Sequence, residues 1–422
     1  MYMEFIMWRK LIKNRRIQSI TKRAKSLLLI IFRCNRYIFY RYFLKRYFSP
    51  LQIHKESSLE KVSNSKESFF GYYNLSPENS KQKVLICEPK GLILKLYVKD
   101  STNYRNIGET TAWNWQQGCM LQWNQNQQNI VYYNVFDEHQ SCYKAKLIDT
   151  DTGEEKDELP MPICSISKNQ EYALSLNFER LALMRPDYGY FCNQHILLPN
   201  NQNDGIWKID LNTKRVNLII SLQQLIELKP VESMLDADHK VNHIDISPEG
   251  NRFLFLHRWV NPLGRFMRLI SADKNGNDLY ILNGDKMISH SCWYGNDRII
   301  SFCYTKEYGN AYIMFTDKTN QRQLLSKDMP VIDGHPSVSP NGRWLITDTY
   351  PAYDRMSRIF LFDLINKHVT CIGRFYQPLK YNREYRIDLH PKWSMDGTKI
   401  YFESGHNGYR NLYVINIENF VK

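Results

Sequence analysis

From about residue 60 onward, short apolar runs alternate with polar turns, and one such pattern recurs along the chain. Its clearest copies are His335-Pro-Ser-Val-Ser-Pro-Asn-Gly-Arg-Trp-Leu-Ile-Thr and His390-Pro-Lys-Trp-Ser-Met-Asp-Gly-Thr-Lys-Ile-Tyr-Phe. A third is His243-Ile-Asp-Ile-Ser-Pro-Glu-Gly-Asn-Arg-Phe-Leu-Phe, and a weaker fourth begins His290-Ser-Cys-Trp-Tyr-Gly-Asn-Asp. The same register upstream gives Tyr72-Tyr-Asn-Leu-Ser-Pro-Glu-Asn, Met120-Leu-Gln-Trp-Asn-Gln-Asn and Ile163-Cys-Ser-Ile-Ser-Lys-Asn. Each copy is an apolar strand, a Pro/Asn/Asp/Gly turn and a second β-rich strand, which is the grammar of a hairpin.

Further along, each copy carries a second hairpin of the form apolar strand, Asp, turn, apolar strand. Ile206-Trp-Lys-Ile-Asp, Leu269-Ile-Ser-Ala-Asp and Ile359-Phe-Leu-Phe-Asp are examples. Two hairpins make a four-stranded sheet. The repeat starts, near 72, 120, 163, 243, 290, 335 and 390, are 48, 43, 80, 47, 45 and 55 residues apart. That is near the roughly 40–50 residues of a propeller blade. The pattern therefore predicts an all-β chain, a seven-bladed β-propeller with four-stranded blades, over residues 51–422. A pair of β-sandwiches would also show short strands, but not one strand–turn signature seven times. The last repeat ends at Asn411-Leu-Tyr-Val-Ile-Asn-Ile, without room for a fourth strand. Residues around Leu59 to Ser63 are expected to supply that strand and close the ring, removing exposed edges.

Charge adds a second segment. The whole chain carries a net +13, but residues 1–50 alone hold thirteen Lys/Arg against Glu4, leaving the remaining body near neutral at +1. A uniformly basic nucleic-acid binder is excluded. The head is basic and aromatic, and its longest apolar run, Leu27 to Phe32, is far short of the ~20 residues a spanning helix needs. It reads as a basic amphipathic helical segment lying on an anionic membrane surface. Arg9, Lys10, Arg15, Arg16, Lys22, Arg23 and Lys25 would face the head groups. The expected location is cytoplasmic, peripheral on the inner face of the cell membrane, with the propeller a monomer. The nine cysteines form no Cys-x-x-Cys pair and read as reduced thiols without a zinc knuckle.

Candidate chemistry follows from the repeat. The first strand of each blade lines the channel, so the seven repeat heads fall at one end of it: Tyr72, Met120, Ile163, His243, His290, His335 and His390. With 11 histidines in 422 residues, a given slot is His about one time in forty, so four in consecutive blades are not a matter of composition. Converging neutral imidazoles suit a divalent cation or a general base. The surrounding loops bring Arg180, Arg185, Tyr188 and Tyr190 from the long third repeat, His257, Arg258 and Trp259 from the fourth, and Asp348, Tyr350 and Arg355 from the sixth. Arg386, Asp388 and His406 come from the last. Arginine forks beside aromatic rings suit an anionic sugar. Asp348 and Asp388 are also candidates for the paired carboxylates of a glycoside hydrolase.

The turns Ser247-Pro-Glu-Gly, Ser339-Pro-Asn-Gly and Ser394-Met-Asp-Gly resemble those of the TolB-like propeller superfamily. The His-headed copies resemble, more narrowly, the oligogalacturonate lyase family, seven-bladed propellers that hold a divalent cation at the channel mouth mainly through histidines. That resemblance implies metal-assisted β-elimination on an acidic, uronate-containing saccharide, with manganese or a similar cation and no nucleotide cofactor. It implies His290, His335 and His390 as metal ligands, and Asp388 is a further candidate ligand by its own chemistry. His243, Arg180 or Arg258 would be the base, and Tyr188 or Tyr350 the acid. Arg185, Tyr190, His257, Trp259, Asp348, Arg355, Arg386 and His406 would bind substrate. The chain departs from that family before its last histidine, where the family has Gln and a second His and this sequence has Tyr385 and Asp388. Phe69 to Tyr73, Asp333 to Ser337 and Asp348 to Pro351 are similar to segments of bacterial propellers linked with surface-polysaccharide gene clusters. That similarity keeps two other readings open: a non-catalytic glycan-binding or scaffold propeller in capsule or O-antigen biosynthesis, and a glycosyltransferase-associated protein.

Overall fold

The computed structural model describes residues 49–193 and 196–421. The basic head, with Arg9, Lys10, Arg15, Arg16, Lys22, Arg23 and Lys25 and its expected helix, lies outside the described residues. Among the described residues no helix is long and apolar enough to cross a membrane, and all eight cysteines are free thiols.

The strands form seven antiparallel sheets, most in simple meander order, as the blades of a β-propeller. The first-hairpin turns repeat in atomic detail. The amides of Gly250, Gly342 and Gly397 donate to the carbonyls of Ser247, Ser339 and Ser394 at 2.8, 2.8 and 3.1 Å. These glycines have φ of 76°, 72° and 73°, the left-handed region a side chain resists, which is why Gly recurs at this place. In the second hairpins, Asp149, Asp210 and Asp363 each accept the amides two and three residues on, which nucleates the turn.

The core lies between blades rather than on the axis. Leu254, Leu256 and Leu269 of blade four, for example, pack on Ile288, Ile299 and Ile313 of blade five. Indoles add directional links at the third position after a repeat head. Trp123 donates to Pro77 O at 2.9 Å, Trp293 to Asp245 O at 3.0 Å and Trp393 to Ser337 O at 3.0 Å, each reaching the preceding blade. A buried indole N–H needs such a partner.

Ring closure uses the N-terminal side of the domain. Ser58–Lys61 pairs with Asn411–Asn416 as the outermost strand of blade seven, with Leu59 opposite Ile415. One residue group departs from the four-strand rule on each side of the seam. Leu51–Ile53 adds a fifth strand to blade six by pairing with Val369–Tyr376. Blade one keeps three strands, its innermost strand reduced to the bridges Phe69 to Cys87 and Glu78 to Val84.

A buried ionic group sits at the same seam. Glu403 accepts from the amides of Gly71 (3.1 Å) and Phe70 (3.4 Å), from Arg410 Nη1 (3.2 Å), and lies 3.6 Å from Lys392 Nζ. Arg410 also donates to Trp115 O at 2.8 Å and Arg386 O at 2.6 Å. Burial pushes the Glu403 carboxyl up and the Lys392 amine down to about 8, so desolvation opposes the network and its hydrogen bonds must offset that. Glu403→Gln leaves two buried cations without their anion and is expected to cost about 3–5 kcal/mol. Denaturant unfolding measures it; an unchanged midpoint would show that the seam does not depend on this carboxylate.

Candidate functional site

The backbone presets the channel-mouth side chains. His243 and His390, like Met120 at the same repeat position, have φ of 55°, 44° and 56°. A non-glycine residue in this region is strained and persists only where the surrounding structure holds it, as at these strand heads. Asp348, at the end of the second strand of blade six, then ties two blades together. Its Oδ1 accepts the His335 amide and His335 Nδ1, both at 2.8 Å, and its Oδ2 accepts the His390 amide at 3.1 Å. Gly334 makes this approach possible, since a Cβ there would lie 1.9 Å from the Asp348 carbonyl oxygen.

The four histidines meet as expected from their place in the repeat. Ring centroids are 3.9 Å apart for His290 and His335, 4.3 Å for His335 and His390, and 5.3 Å for His243 and His290. Tyr72 and Tyr73 fill the centre. Tyr72 hydrogen-bonds His243 Nδ1 and stands edge-on to His390, while Tyr73 donates to Ser291 O at 2.7 Å. Tyr73 also lines a cavity of about 500 Å³ together with Asn74, Gln122, Asp245 and Trp393 among others.

Several polar atoms here are buried and find no hydrogen-bond partner among the described residues: His243 Nε2, His335 Nε2, both ring nitrogens of His390, and Asp388 Oδ1. Buried polar groups are ordinarily satisfied, so a cluster of orphans marks a place for something else. Ligand atoms of His335, Asp388 and His390 all lie within 4.8 Å of one another. With His335 Nδ1 held by Asp348, Nε2 is the atom left to ligate. His290 stands beside them, its Nδ1 3.0 Å from Ser289 Oγ and 3.6 Å from Asp333. Two imidazoles and a carboxylate, with a third imidazole adjacent, suit manganese, iron or zinc.

Electrostatics separates the histidines. Burial holds His243 and His390 well below the ordinary value and His290 at about 4, aided by neighbouring cations and imidazoles, so these three are neutral near pH 7. His335 differs: burial lowers it, but Asp348, then Asp388 and Asp333, overcome this and hold it above its ordinary value. Burial also keeps the phenols of Tyr188 and Tyr350 protonated.

The mouth receives most of the residues singled out in the sequence. Tyr188 is fully buried, its ring 5.2 Å from His243, and its hydroxyl finds no partner among the described residues. Arg185 lies over the Tyr188 ring at 4.5 Å, and Tyr350 is 5.8 Å from His335. Arg258 is buried beside His243 with its Nε unpartnered; burial first, then Arg185, lowers its guanidinium to about 10. Arg386 donates to Asp388 at 2.9 Å.

Others are held elsewhere. Asp348 is 1% exposed and spends both oxygens on the two histidine segments, so it is neither open to substrate nor half of a hydrolase pair. Arg180 pairs with Asp204 at 2.6 Å and donates to Pro199 O, fixing the base of the blade-three insertion. Tyr190 stacks on Phe178 at 4.2 Å in the core. His257 faces His239 (2.9 Å) and Arg268 (3.2 Å) because successive strand residues point to opposite faces, and its neighbour Arg258 takes the channel side. Trp259 donates to Ser233 Oγ, Arg355 to Gln377 O and Pro378 O, and His406 packs on Tyr413. Sequence reasoning did not single out Tyr73, Asp333 or Asp187 as site residues, and it read Tyr72 only as a repeat head.

No protein-family model matches the chain, and no curated protein matches it in sequence. Solved structures do. An oligogalacturonate lyase from Vibrio parahaemolyticus is 10% identical with a TM-score of 0.61, the match covering 88% of this chain and 98% of that one. An oligogalacturonate lyase in complex with manganese is 13% identical with a TM-score of 0.59, over 87% and 97%. At these identities the likeness shows the fold alone, a seven-bladed propeller.

Asp348→Asn keeps the side-chain shape but places an amide N–H against a main-chain N–H. It is expected to cost about 1.5–3 kcal/mol, the worth of a hydrogen bond to a charged group. Equilibrium unfolding reads this directly, and a loss below the error of the method would remove Asp348 from its positioning role.

Proposed function

We propose that this propeller is a lyase acting by β-elimination on an acidic, uronate-containing saccharide, with a divalent cation at the channel mouth. The observation that carries the reading is the convergence of buried, unpartnered donor atoms from His335, His390 and Asp388 beside the guanidiniums of Arg386, Arg185 and Arg258. His335, His390 and Asp388, with His290 adjacent, would hold the cation. When bound, a divalent cation neutralises a uronate carboxylate and so acidifies the carbon-bound proton next to it.

The remaining roles belong to the chain's own groups. Arg258 and Arg185 remain charged and pair with the substrate carboxylate. His243 is the base: if its Nδ1–H is donated to Tyr72, its unpartnered Nε2 carries the lone pair, and burial keeps it neutral. It takes the proton from C5, the electron pair forms the C4=C5 double bond, and the C4–O bond breaks. Tyr188, a buried protonated phenol whose hydroxyl finds no partner among the described residues, gives its proton to the leaving oxygen; Tyr350, 5.8 Å from His335, is the second phenol. Arg180, tied to Asp204, takes no part. The basic head, on charge alone, would hold the propeller at an anionic membrane surface, a setting that fits surface-polysaccharide metabolism.

Purified protein is expected to bind a divalent cation and to gain thermal stability on addition of manganese. Asp348→Asn should weaken that binding about 10–100-fold by releasing His335. Incubation with an oligogalacturonate should generate the ultraviolet absorbance of a conjugated unsaturated uronate. Protein that binds no manganese, zinc, calcium or nickel, and whose midpoint none of them moves, would overturn the metal-assisted reading.

A further inference from the structure

Residues 177–190 leave blade three between its second and third strands and cross the channel mouth. The base of this strap is fixed. Asn177 caps the helix Phe178–Met184 by accepting the Arg180 amide, and the Arg180–Asp204 pair at 2.6 Å is buried, with side chains 10% and 2% exposed. Its tip is held differently. The 3-10 turn Pro186–Tyr188 meets the turn Arg383–Tyr385 of the blade-seven loop. There Asp187 Oδ2 accepts from Arg386 Nη1 at 2.6 Å, and its Oδ1 lies 3.6 Å from Arg185 Nε. The tip pair is more open than the base pair, at 16% and 22% exposure, and is therefore screened by solvent and easier to exchange.

Two features make this contact more than a surface ion pair. Arg386 also donates Nε to Asp388 Oδ2 at 2.9 Å, so the guanidinium that grips the strap is the one that faces the candidate cation ligand. The next residue, Tyr188, is fully buried against Tyr72 and His243, with ring centroids 6.0 and 5.2 Å away. The strap thus sets a carboxylate between two guanidiniums and, one residue on, a phenol over the histidines.

We propose that Asp187 is an internal occupant of an anion subsite at Arg386, and that a ligand carboxylate displaces it and frees the strap tip, while Tyr188 stays seated over His243. A carboxylate hydrogen-bonded to the outer nitrogen of Arg386 is a contact an incoming uronate would reproduce. A neutral saccharide has no group that competes with Asp187, so the strap stays closed to it. The anionic ligand rests on the function proposed above; the latch itself rests on the Asp187 contacts.

The test compares the full-length protein with Asp187→Asn and Asp187→Glu. Calorimetry measures binding of trigalacturonate and of an uncharged trisaccharide, and amide hydrogen exchange reads residues 183–190. Asp187→Asn is expected to bind trigalacturonate about tenfold more tightly, to leave the uncharged sugar unchanged, and to exchange several-fold faster across the strap. Asp187→Glu should behave like the parent protein. Equal trigalacturonate affinity in parent and Asp187→Asn, or unchanged exchange in Asp187→Asn, overturns the latch. If neither protein binds trigalacturonate, the acidic-saccharide reading fails, and exchange alone then decides the latch: faster exchange supports it and unchanged exchange rejects it.

Discussion

Everything at the channel mouth depends on closing the ring. The candidate site draws Tyr72 from blade one, Tyr188 from the blade-three insertion, and a histidine from each of blades four to seven. No pair of adjacent blades contains it. Residues from opposite ends of the domain meet only because Ser58–Lys61 completes blade seven and Glu403 binds the Phe70 and Gly71 amides across the seam. A buried carboxylate with two cations is a costly way to join two sheets, since apolar packing would do so without desolvation. Its position explains the choice. Lys392 donates to His390 O at 2.8 Å and Arg410 to Arg386 O at 2.6 Å, so the seam also fixes the segments carrying a candidate ligand and the guanidinium that faces it.

The repeat supplies one slot seven times, and the blades use it differently. The slot has a left-handed backbone in blades two, four and seven, at Met120, His243 and His390. Histidine in four adjacent slots then gives an arc rather than a full ring, facing the tyrosines of blade one. Within the arc, environment separates the roles. The His335 ring, held by Asp348, has its orientation set, whereas both ring nitrogens of His390 are without partners among the described residues. Identical residue types at identical repeat positions thus become an oriented imidazole and an open one.

Most of the architecture was legible because it is periodic: the Ser-Pro-Glu-Gly type turns and the Asp-led second hairpins recur with the same hydrogen bonds. The histidine arc was legible for the same reason, being four copies of one position. What depended on side-chain direction was not. His257 and Arg258 are neighbours, yet strand alternation sends one toward His239 and the other toward His243. Tyr190, two residues after Tyr188, stacks on Phe178 in the core because Gly189 lets the chain pass against the helix, where a Cβ would lie 2.0 Å from the Ala182 nitrogen. Contacts between distant segments leave no local mark either. Asp187 and Arg386 are 199 residues apart, and Tyr72 and His243 are 171 apart. The strand Leu51–Ile53 is three residues long and too short to show a period.

Arg386 joins the two halves of the site, and its charge constrains both. Asp388 is buried, which pushes its carboxyl up; Arg386 is the first group that pulls it back toward the ionised form a cation needs. A guanidinium with no second anion would draw closer to Asp388 and compete with any metal for its oxygens. Asp187 prevents this in the closed strap by sharing the positive charge at 2.6 Å, leaving Asp388 Oδ1 unpartnered among the described residues. A ligand carboxylate that takes the place of Asp187 gives Arg386 the same surroundings. The cation ligands then need not rearrange when the strap tip is released, because one anion replaces another on the same guanidinium. By this argument the strap does more than cover the histidines: in the absence of ligand it keeps Asp388 available.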